Sequence, residues 1–431
     1  MKKNKLIALI ITFSLIISQH GFSQIDVKGK VKEKTTERAN QRTDEGIDKG
    51  LNKIEEGIGG LFKKKDKKKK EEKTEETQTT GTTETTKTEQ ANTKPIDNPK
   101  FENYSKYDFI AGEQILFFDD FSDTQVGDFP AKWNTDASGE VVTTNLYPGK
   151  WLKMTGSGSF PIDGGLKLTD NFTIEFDAVV FPKDEENSSY EFGFYLYDAA
   201  NPKDLSEGGA VPGKAGIKMS FGYRSSYSAY DASGYTISGE KDEASMEKGK
   251  KYRLSFWVQK SRLRVYLDQV KVFDLPKVFN SSFMCNMMRF ELWDNGTPMI
   301  SNFRVAVGLP DTRSKLITEG KLISYGITFD SGKDVLKPES YGALNDIAKV
   351  LKENPTVKIK IVGHTDSDGD DAKNLDLSKR RAANVKNSLV KDFGINGDLI
   401  TTDGKGKTQE IAPNTTSEGK AKNRRVEFLK M

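Results

Sequence analysis

Residues 63–100 constrain the chain more than any other stretch. They repeat Lys, Glu and Thr, as in Glu75-Glu76-Thr77-Gln78-Thr79-Thr80, and hold almost nothing that can be buried. Such a segment cannot offset the entropy of its own ordering, so a disordered linker is expected over 63–107. Fully extended, the stretch reaches roughly 120 Å, while its average span is nearer about 35 Å. It therefore separates a short N-terminal part from a long C-terminal part. A chain of 431 residues, 30% charged and 35% hydrophobic, has material for more than one folded domain besides this tether.

Before the linker, Met1-Lys2-Lys3-Asn4-Lys5, the apolar run Leu6 to Ser18 and the small or polar residues up to Gln24 have the parts of a secretory signal, assigned to 1–24. The apolar run is short for a membrane span, and a retained N-terminal anchor is the alternative. No cysteine lies near Ser23 or Gln24, so no lipid-attachment motif is present there. Loss of Lys2, Lys3 and Lys5 with the leader takes the 66 Lys and Arg down by three to 63, equal to the 63 Asp and Glu. That balance does not call for nucleic acid. Cys285 is the single cysteine, so no intramolecular disulfide forms, and its apolar neighbours point to a buried thiol rather than a nucleophile. In the polar segment 25–62, Ile47, Leu51, Ile54, Ile58 and Phe62 fall on one face of a helix over 44–62, with Gly50, Gly57, Gly59 and Gly60 weakening it. Its stripe suits a partner helix, a second copy or a membrane surface beside Lys63-Lys64-Lys65, or it fluctuates without a partner.

From 108 to 312 the pattern changes to short alternating runs, such as Phe172-Thr173-Ile174-Glu175-Phe176-Asp177 and Arg253-Leu254-Ser255-Phe256-Trp257-Val258. Many such runs without helical periodicity predict an antiparallel β-sandwich. A membrane barrel is the alternative, although the runs are mostly shorter than the roughly 9–11 residues of a membrane strand. Phe117 to Trp133, reading FFDDFSDTQVGDFPAKW, and the hairpin within Tyr252 to Leu275 resemble concanavalin-like (laminin-G-like) jelly rolls. Gln269 departs from the Asp-Gly turn that the family often carries there. One glycoside hydrolase group on that fold sets Glu-x-Asp-x-x-Glu along a strand, so that carboxylates share a cleft. Here Glu175 and Asp177 are followed by Val180 where the acid/base would stand. The two acids are therefore expected on the solvated face of an amphipathic strand, and no catalytic residue is assigned. Asp294-Asn295-Gly296 reads as a hairpin turn, with a calcium site as the weaker alternative. Tyr223, Tyr227 and Tyr230 either stack on sugar rings or are ordinary β-structure tyrosines.

The last part, 318–431, alternates strand and helix patterns. Ile327-Thr328-Phe329 predicts a strand, and Pro338 opens a helix with Ala343, Leu344, Ile347, Ala348 and Leu351 on its buried stripe. Val357, Ile359 and Ile361 predict the next strand, Leu377, Val385, Leu389 and Phe393 a second helix, and Val426 and Phe428 a closing strand. The strand ending at Gly363 leads to Asp366, and the following helix, with Ser378 as its expected cap, carries Arg381. One anion and one cation held this way suit a zwitterionic ligand, or else they form an internal ion pair.

Four blocks in this part resemble the OmpA-like peptidoglycan-binding family. They are Phe329-Asp330-Ser331 with Leu336-Lys337-Pro338, Gly363-His364-Thr365-Asp366, Asn374-x-x-Leu377-Ser378-x-x-Arg381-Ala382, and Asn423-Arg424-Arg425-Val426-Glu427. The resemblance implies a βαβαβ-type α/β domain that binds the diaminopimelate side chain of peptidoglycan. By position, Asp366 would take the ammonium and Arg381 the carboxylate, with Thr365 and Asn374 placing the ligand and Asp330 and Arg425 on the rim. For Asn374 and Arg425, loop bracing and a surface ion pair are equally compatible readings. His364, the one histidine after the leader, is expected to pack beside the loop, and Gly404-Lys405-Gly406-Lys407 lacks phosphate-loop spacing. The expected protein is thus multidomain: a disordered N-terminal linker, an antiparallel jelly-roll sandwich and an OmpA-like domain. It would be a secreted, periplasmic, non-enzymatic wall binder at the outer membrane, without cofactor or metal. Its sandwich would bind a glycan or an envelope protein. A wall-anchored jelly-roll hydrolase and a purely structural membrane-to-wall linker are the alternatives.

Overall fold

The computed structural model describes residues 107–183, 190–204, 209–242, 244–308 and 311–431. The expected signal segment, the 44–62 helix and the linker as far as residue 106 lie outside the described residues. Tyr107, placed at the end of that linker, is only 5% exposed. It packs edge-on against Tyr266 with ring centroids 5.5 Å apart, so folded structure begins before residue 108.

Among the described residues, fourteen strands make the first part. They are β1 Gln114–Asp119, β2 Ser138–Thr143, β3 Lys150–Thr155, β4 Ser157–Pro161, β5 Asn171–Pro182, β6 Glu191–Tyr197 and β7 Gly216–Gly222, then β8 Ser225–Asp231, β9 Gly234–Lys241, β10 Lys251–Gln259, β11 Arg262–Leu267, β12 Val270–Leu275, β13 Met287–Trp293 and β14 Gly296–Val307. One sheet runs β12-β11-β10-β5-β14-β3-β2, with β1 paired to β14, and the second runs β4-β13-β6-β7-β8-β9. Alternation along the strands supplies the shared core: Phe172, Ile174, Phe176, Ala178 and Val180 of β5 point inward with Tyr252, Leu254, Phe256 and Val258 of β10. Phe176 meets Phe194 and Phe290 of the other sheet at 5.1 Å and 5.0 Å between ring centroids. Each such ring contributes roughly 1.5–3 kcal/mol by leaving water. Asp268 turns the chain between β11 and β12 with φ 52°, and Asp294 does so between β13 and β14 with φ 65°.

The second part has a four-stranded sheet in the order β15-β18-β16-β17, with β15 Lys321–Ser324, β16 Ile359–His364, β17 Ile400–Gly406 and β18 Val426–Lys430. Only β16 and β17 pair in parallel. The helices are α1 Tyr341–Glu353, α2 Asp371–Lys391 and α3 Ser417–Asn423. The strand expected at 327–329 instead lies at 321–324, and Phe329 forms only an isolated bridge to Leu336. α1 follows a 3-10 turn at Pro338–Ser340, with its apolar stripe buried as expected. Among the described residues, no helix is long and apolar enough to cross a membrane.

All described residues belong to one unit, Pro99–Met431, and its two parts are packed together. Ile115 and Phe118 of β1 cluster with Ala421 of α3 and Tyr325. Ser417 Oγ donates to the Phe118 carbonyl (3.1 Å), and Arg304 Nη1 donates to the Tyr325 carbonyl (2.7 Å). A methyl group at Gly342 of α1 would overlap the Phe109 carbonyl, so glycine is what lets the arm 107–113 run against the helix.

Candidate functional site

The central strand β16 delivers the site. Gly363, near its end, has no room for a side chain against the Ser378 carbonyl of α2, so strand and helix approach closely there. α2 begins at Asp371, capped by Asp370, whose side chain accepts from the Lys373 amide. This corrects the expected cap. Ser378 is buried within the helix, where its hydroxyl donates to the Leu375 carbonyl (2.8 Å) and accepts from the Gly406 amide (2.9 Å). Arg381 lies ten residues into α2, about 15 Å along its axis, rather than in the first turn.

Asp366 lies near enough to pull on the Arg381 charge, yet the two form no ion pair. Asp366 Oδ2 accepts from Arg424 Nη1 at 2.7 Å, and Oδ1 accepts from the Asp368 amide at 3.2 Å. Arg381 donates from Nε to the Lys333 carbonyl (2.9 Å) and from Nη2 to the Asp330 carbonyl (3.4 Å), and it lies 4.9 Å from the Phe329 ring centre. Among the described residues, no carboxylate oxygen lies within 4.0 Å of its guanidinium. Burial lowers its pKa to about 10, against an upward pull from Asp366, so it stays protonated at neutral pH.

The other expected residues divide. Thr365 is buried beside Asp366, and its Oγ1 has no hydrogen-bond partner among the described residues. Asn374 Nδ2 donates to the Asp368 carbonyl (2.9 Å) and braces the loop. Asp330 offers Arg381 its carbonyl, while its carboxylate is 3.9 Å from Lys333. Arg425 is buried, donates to Glu427 (2.8 Å) and to the Gln409 carbonyl (3.0 Å), and is not a rim residue. Its neighbour Arg424 is the arginine that reaches the cleft, spanning Asp366 and Asp120 of the two-sheet part (3.7 Å). Both arginines of the sequence block Asn423-Arg424-Arg425 line the cavity beside it, Arg425 held by Glu427 and Arg424 by Asp366. His364 is 3% exposed, and although its backbone amide donates to the Arg425 carbonyl (3.0 Å), neither ring nitrogen has a hydrogen-bond partner among the described residues, with Glu427 3.7 Å from Nε2. Burial and Arg425 push its pKa down to about 4.

A cavity of about 160 Å³ opens where the two parts meet, walled by Phe118, Asn302 and Arg304 on one side and by Phe329, His364 and Arg381 on the other. Beside it lies the largest departure from expectation. Glu175 and Asp177 are not solvated, each being 3% exposed on the outer face of the first sheet. The C-terminal part and the arm 107–113 cover that face. Arg304 Nε donates to Glu175 Oε2 (2.8 Å), Arg253 Nη1 to Asp177 Oδ1 (3.2 Å) and Asn302 Nδ2 to Asp177 Oδ2 (2.8 Å). Burial raises both carboxyl pKa values, but the arginines outweigh it and hold them below the usual range. Tyr230 is likewise buried, with its hydroxyl donating to the Pro212 carbonyl (2.8 Å), and Tyr227 packs edge-on against Phe273 at 4.9 Å. Asp294 meets Lys183 at 2.5 Å. Cys285 is buried in an apolar setting, which pushes its thiol up to about 12.

Residues 328–424 match the OmpA family. Outer membrane porin F of Pseudomonas fluorescens is 44% identical over 105 residues, 24% of this chain and 32% of that protein. The probable lipoprotein YiaD of Escherichia coli (strain K12) is 44% identical over 102 residues, 24% of this chain and 46% of that protein. The peptidoglycan-binding protein ArfA of Mycobacterium bovis is 43% identical over 103 residues, 24% of this chain and 31% of that protein. The chain covers less than half the length of each of these relatives. With β16, α2 and the Asn423-Arg424-Arg425 block arranged around one cleft, residues 328–424 are a domain of the OmpA family.

Proposed function

We propose that the chain binds peptidoglycan non-covalently through the Asp366/Arg381 cleft, taking the diaminopimelate side chain of an uncapped stem peptide. The observation that carries this reading is Arg381, a desolvated cation with no carboxylate within 4.0 Å among the described residues. A ligand carboxylate supplies the missing anion with charge-assisted hydrogen bonds. The ligand ammonium docks on Asp366, sharing that carboxylate with Arg424. Thr365 and the loop held by Asn374 frame the ammonium, and Asp330 fixes Arg381 through its carbonyl. The name of the ArfA relative, a peptidoglycan-binding protein, supports the same ligand class.

The first part we read as a concanavalin-like jelly roll that displays a binding surface for a glycan or an envelope protein, on a secreted protein lying between outer membrane and wall. Glu175 and Asp177 are locked by Arg253, Arg304 and Asn302, which supports a non-enzymatic reading over the hydrolase alternative. The test is co-sedimentation of the full chain with purified diaminopimelate-type sacculi, beside Asp366→Ala and Arg381→Ala. The expected result is binding that each substitution reduces by at least about tenfold, in line with about 1.5–3 kcal/mol for a hydrogen bond to a charged group. Binding untouched by both substitutions sinks the proposal.

A further inference from the structure

The cleft is not a property of the C-terminal domain alone. Six cationic side chains and one acid line the interdomain cavity. Five of the six have a carboxylate in reach. Arg253 has Asp177, Arg304 has Glu175, Arg424 has Asp366, Arg425 has Glu427, and Lys337 has Glu339 at 3.7 Å. Arg381 is the one left without, so the cavity carries a single uncompensated positive charge among the described residues and is suited to one carboxylate. His364 adds a second observation. It is 3% exposed, lines the same cavity, and neither of its ring nitrogens has a hydrogen-bond partner among the described residues. A buried polar group left this way is costly unless something enters to pair it.

We infer that the two-sheet part is a fixed wall of the ligand pocket, so that the wall-binding site is a two-domain site in which Phe118, Asn302 and Asp120 help to hold the ligand. This rests on the peptidoglycan reading of the cleft. Phe118 lines the cavity together with Arg381, and its ring centre lies 5.3 Å from the Arg424 guanidinium. Asp120 lies 3.7 Å from Nη2 of the same guanidinium whose Nη1 holds Asp366, and so competes with Asp366 for Arg424. The wall is anchored by the Ile115, Phe118, Ala421 and Tyr325 cluster, by the Arg304 bond to the Tyr325 carbonyl and by Lys132, which meets Ser417 at 2.5 Å and Glu418 at 3.2 Å. A cavity of about 160 Å³ is close to the roughly 150 Å³ that admits a benzene-sized molecule. Arg381 lines it and Asp366 does not, so it suits the carboxylate of an amino-carboxyl end and has no room for the sugar strand. The ligand class is therefore a free α-amino-acid terminus presented on a stalk, with polymer remaining outside.

The test uses the full chain, with free meso-diaminopimelate in calorimetry and with diaminopimelate-type sacculi in co-sedimentation. The variants are Phe118→Ala, the conservative Phe118→Leu, Asp120→Asn and Arg381→Ala, each checked by thermal melting. The expected result is a loss of affinity of about tenfold or more for Phe118→Ala on both probes, as for a central pocket contact. Phe118→Leu should restore most of it, and Asp120→Asn should give a loss of about threefold, as for a partly exposed charge. If the Phe118 variant alone fails to fold, the folded Asp120→Asn decides. Sandwich variants that bind as well as the unmutated chain overturn the two-domain site while leaving the Arg381 reading standing. Tighter binding to sacculi by these variants also overturns it, because the first part is then an obstacle. An unmutated chain that binds neither probe, or an Arg381→Ala that binds like it, overturns both.

Discussion

Two places in this molecule set acids beside arginines, and they differ in what is left over. On the outer face of the first sheet, Glu175 and Asp177 meet Arg253 and Arg304, and each carboxylate is hydrogen-bonded. Across the interface, Asp366 is taken by Arg424, while Arg381 holds only backbone carbonyls and the face of Phe329. The first set is a closed circuit in which removal of any member strands a buried charge. The second has an open end, and an open end is what a ligand can close. Composition alone does not separate a structural cluster from a recognition site. The count of unmatched charges does.

The comparison breaks most readily at Arg304. Arg304→Ala leaves Glu175 buried with only the longer contact to Arg253, and is expected to cost about 3–5 kcal/mol in urea unfolding. A cost below about 1 kcal/mol would mean that the outer-face cluster is not a closed circuit. His364 comes next and gives a pH signature. Its pKa is lowered in the folded state, so protons bind the unfolded chain first, and stability is present above the ordinary histidine pKa and lost as pH falls from about 6.5 towards 4. The loss at full extent is up to about 3 kcal/mol. Asp119, raised to about 6 chiefly by burial, acts in the opposite sense and loses its contribution as pH rises from about 4 to 6. Because Asp119 is common to both proteins, thermal melts of the unmutated chain and His364→Gln isolate the histidine in their difference. Equal pH slopes would mean that His364 is no more desolvated folded than unfolded.

Arg381→Ala sharpens the comparison from the other side. It removes an unmatched cation, so stability should change by no more than about 1 kcal/mol even as wall binding is lost. A destabilisation matching that of Arg304→Ala would place Arg381 among the structural charges. The smallest effect is expected at Arg262, which makes two 2.7 Å contacts with Asp274 at the surface. Arg262→Ala should cost less than about 1 kcal/mol despite that geometry.

Much of this was legible in the chain. The alternation in β5 and β10 predicted the sheet-rich part, and the buried stripe of α1 was read correctly from its spacing. Asp366, Arg381, Thr365 and Asn374 could be named from the chain because one strand-loop-helix unit carries all four. What failed was long-range. Glu175 and Asp177 alternate with apolar residues exactly as solvated residues do, and their arginine partners stand 76 to 129 positions away. No local pattern reveals that a second domain will cover the outer face. The pairing of Arg424 with Asp366 was not legible for another reason. Consecutive residues entering β18 point to opposite sides, and only the register of that strand decides which one meets Asp366.

The pairing of β1 with β14 joins Gln114 to Val307, and β15 with β18 joins Lys321 to Leu429. Each part of the protein is thus zipped shut by its own first and last strands. Neither sheet can be completed until nearly its whole length has emerged, and the loop entropy of that closure falls late on the folding path. The pocket between them is later still, because it forms only after two such closures have succeeded. The cell-wall recognition proposed for this chain would therefore be the last property acquired during folding, and its presence would report on the integrity of the structure from residue 107 onward.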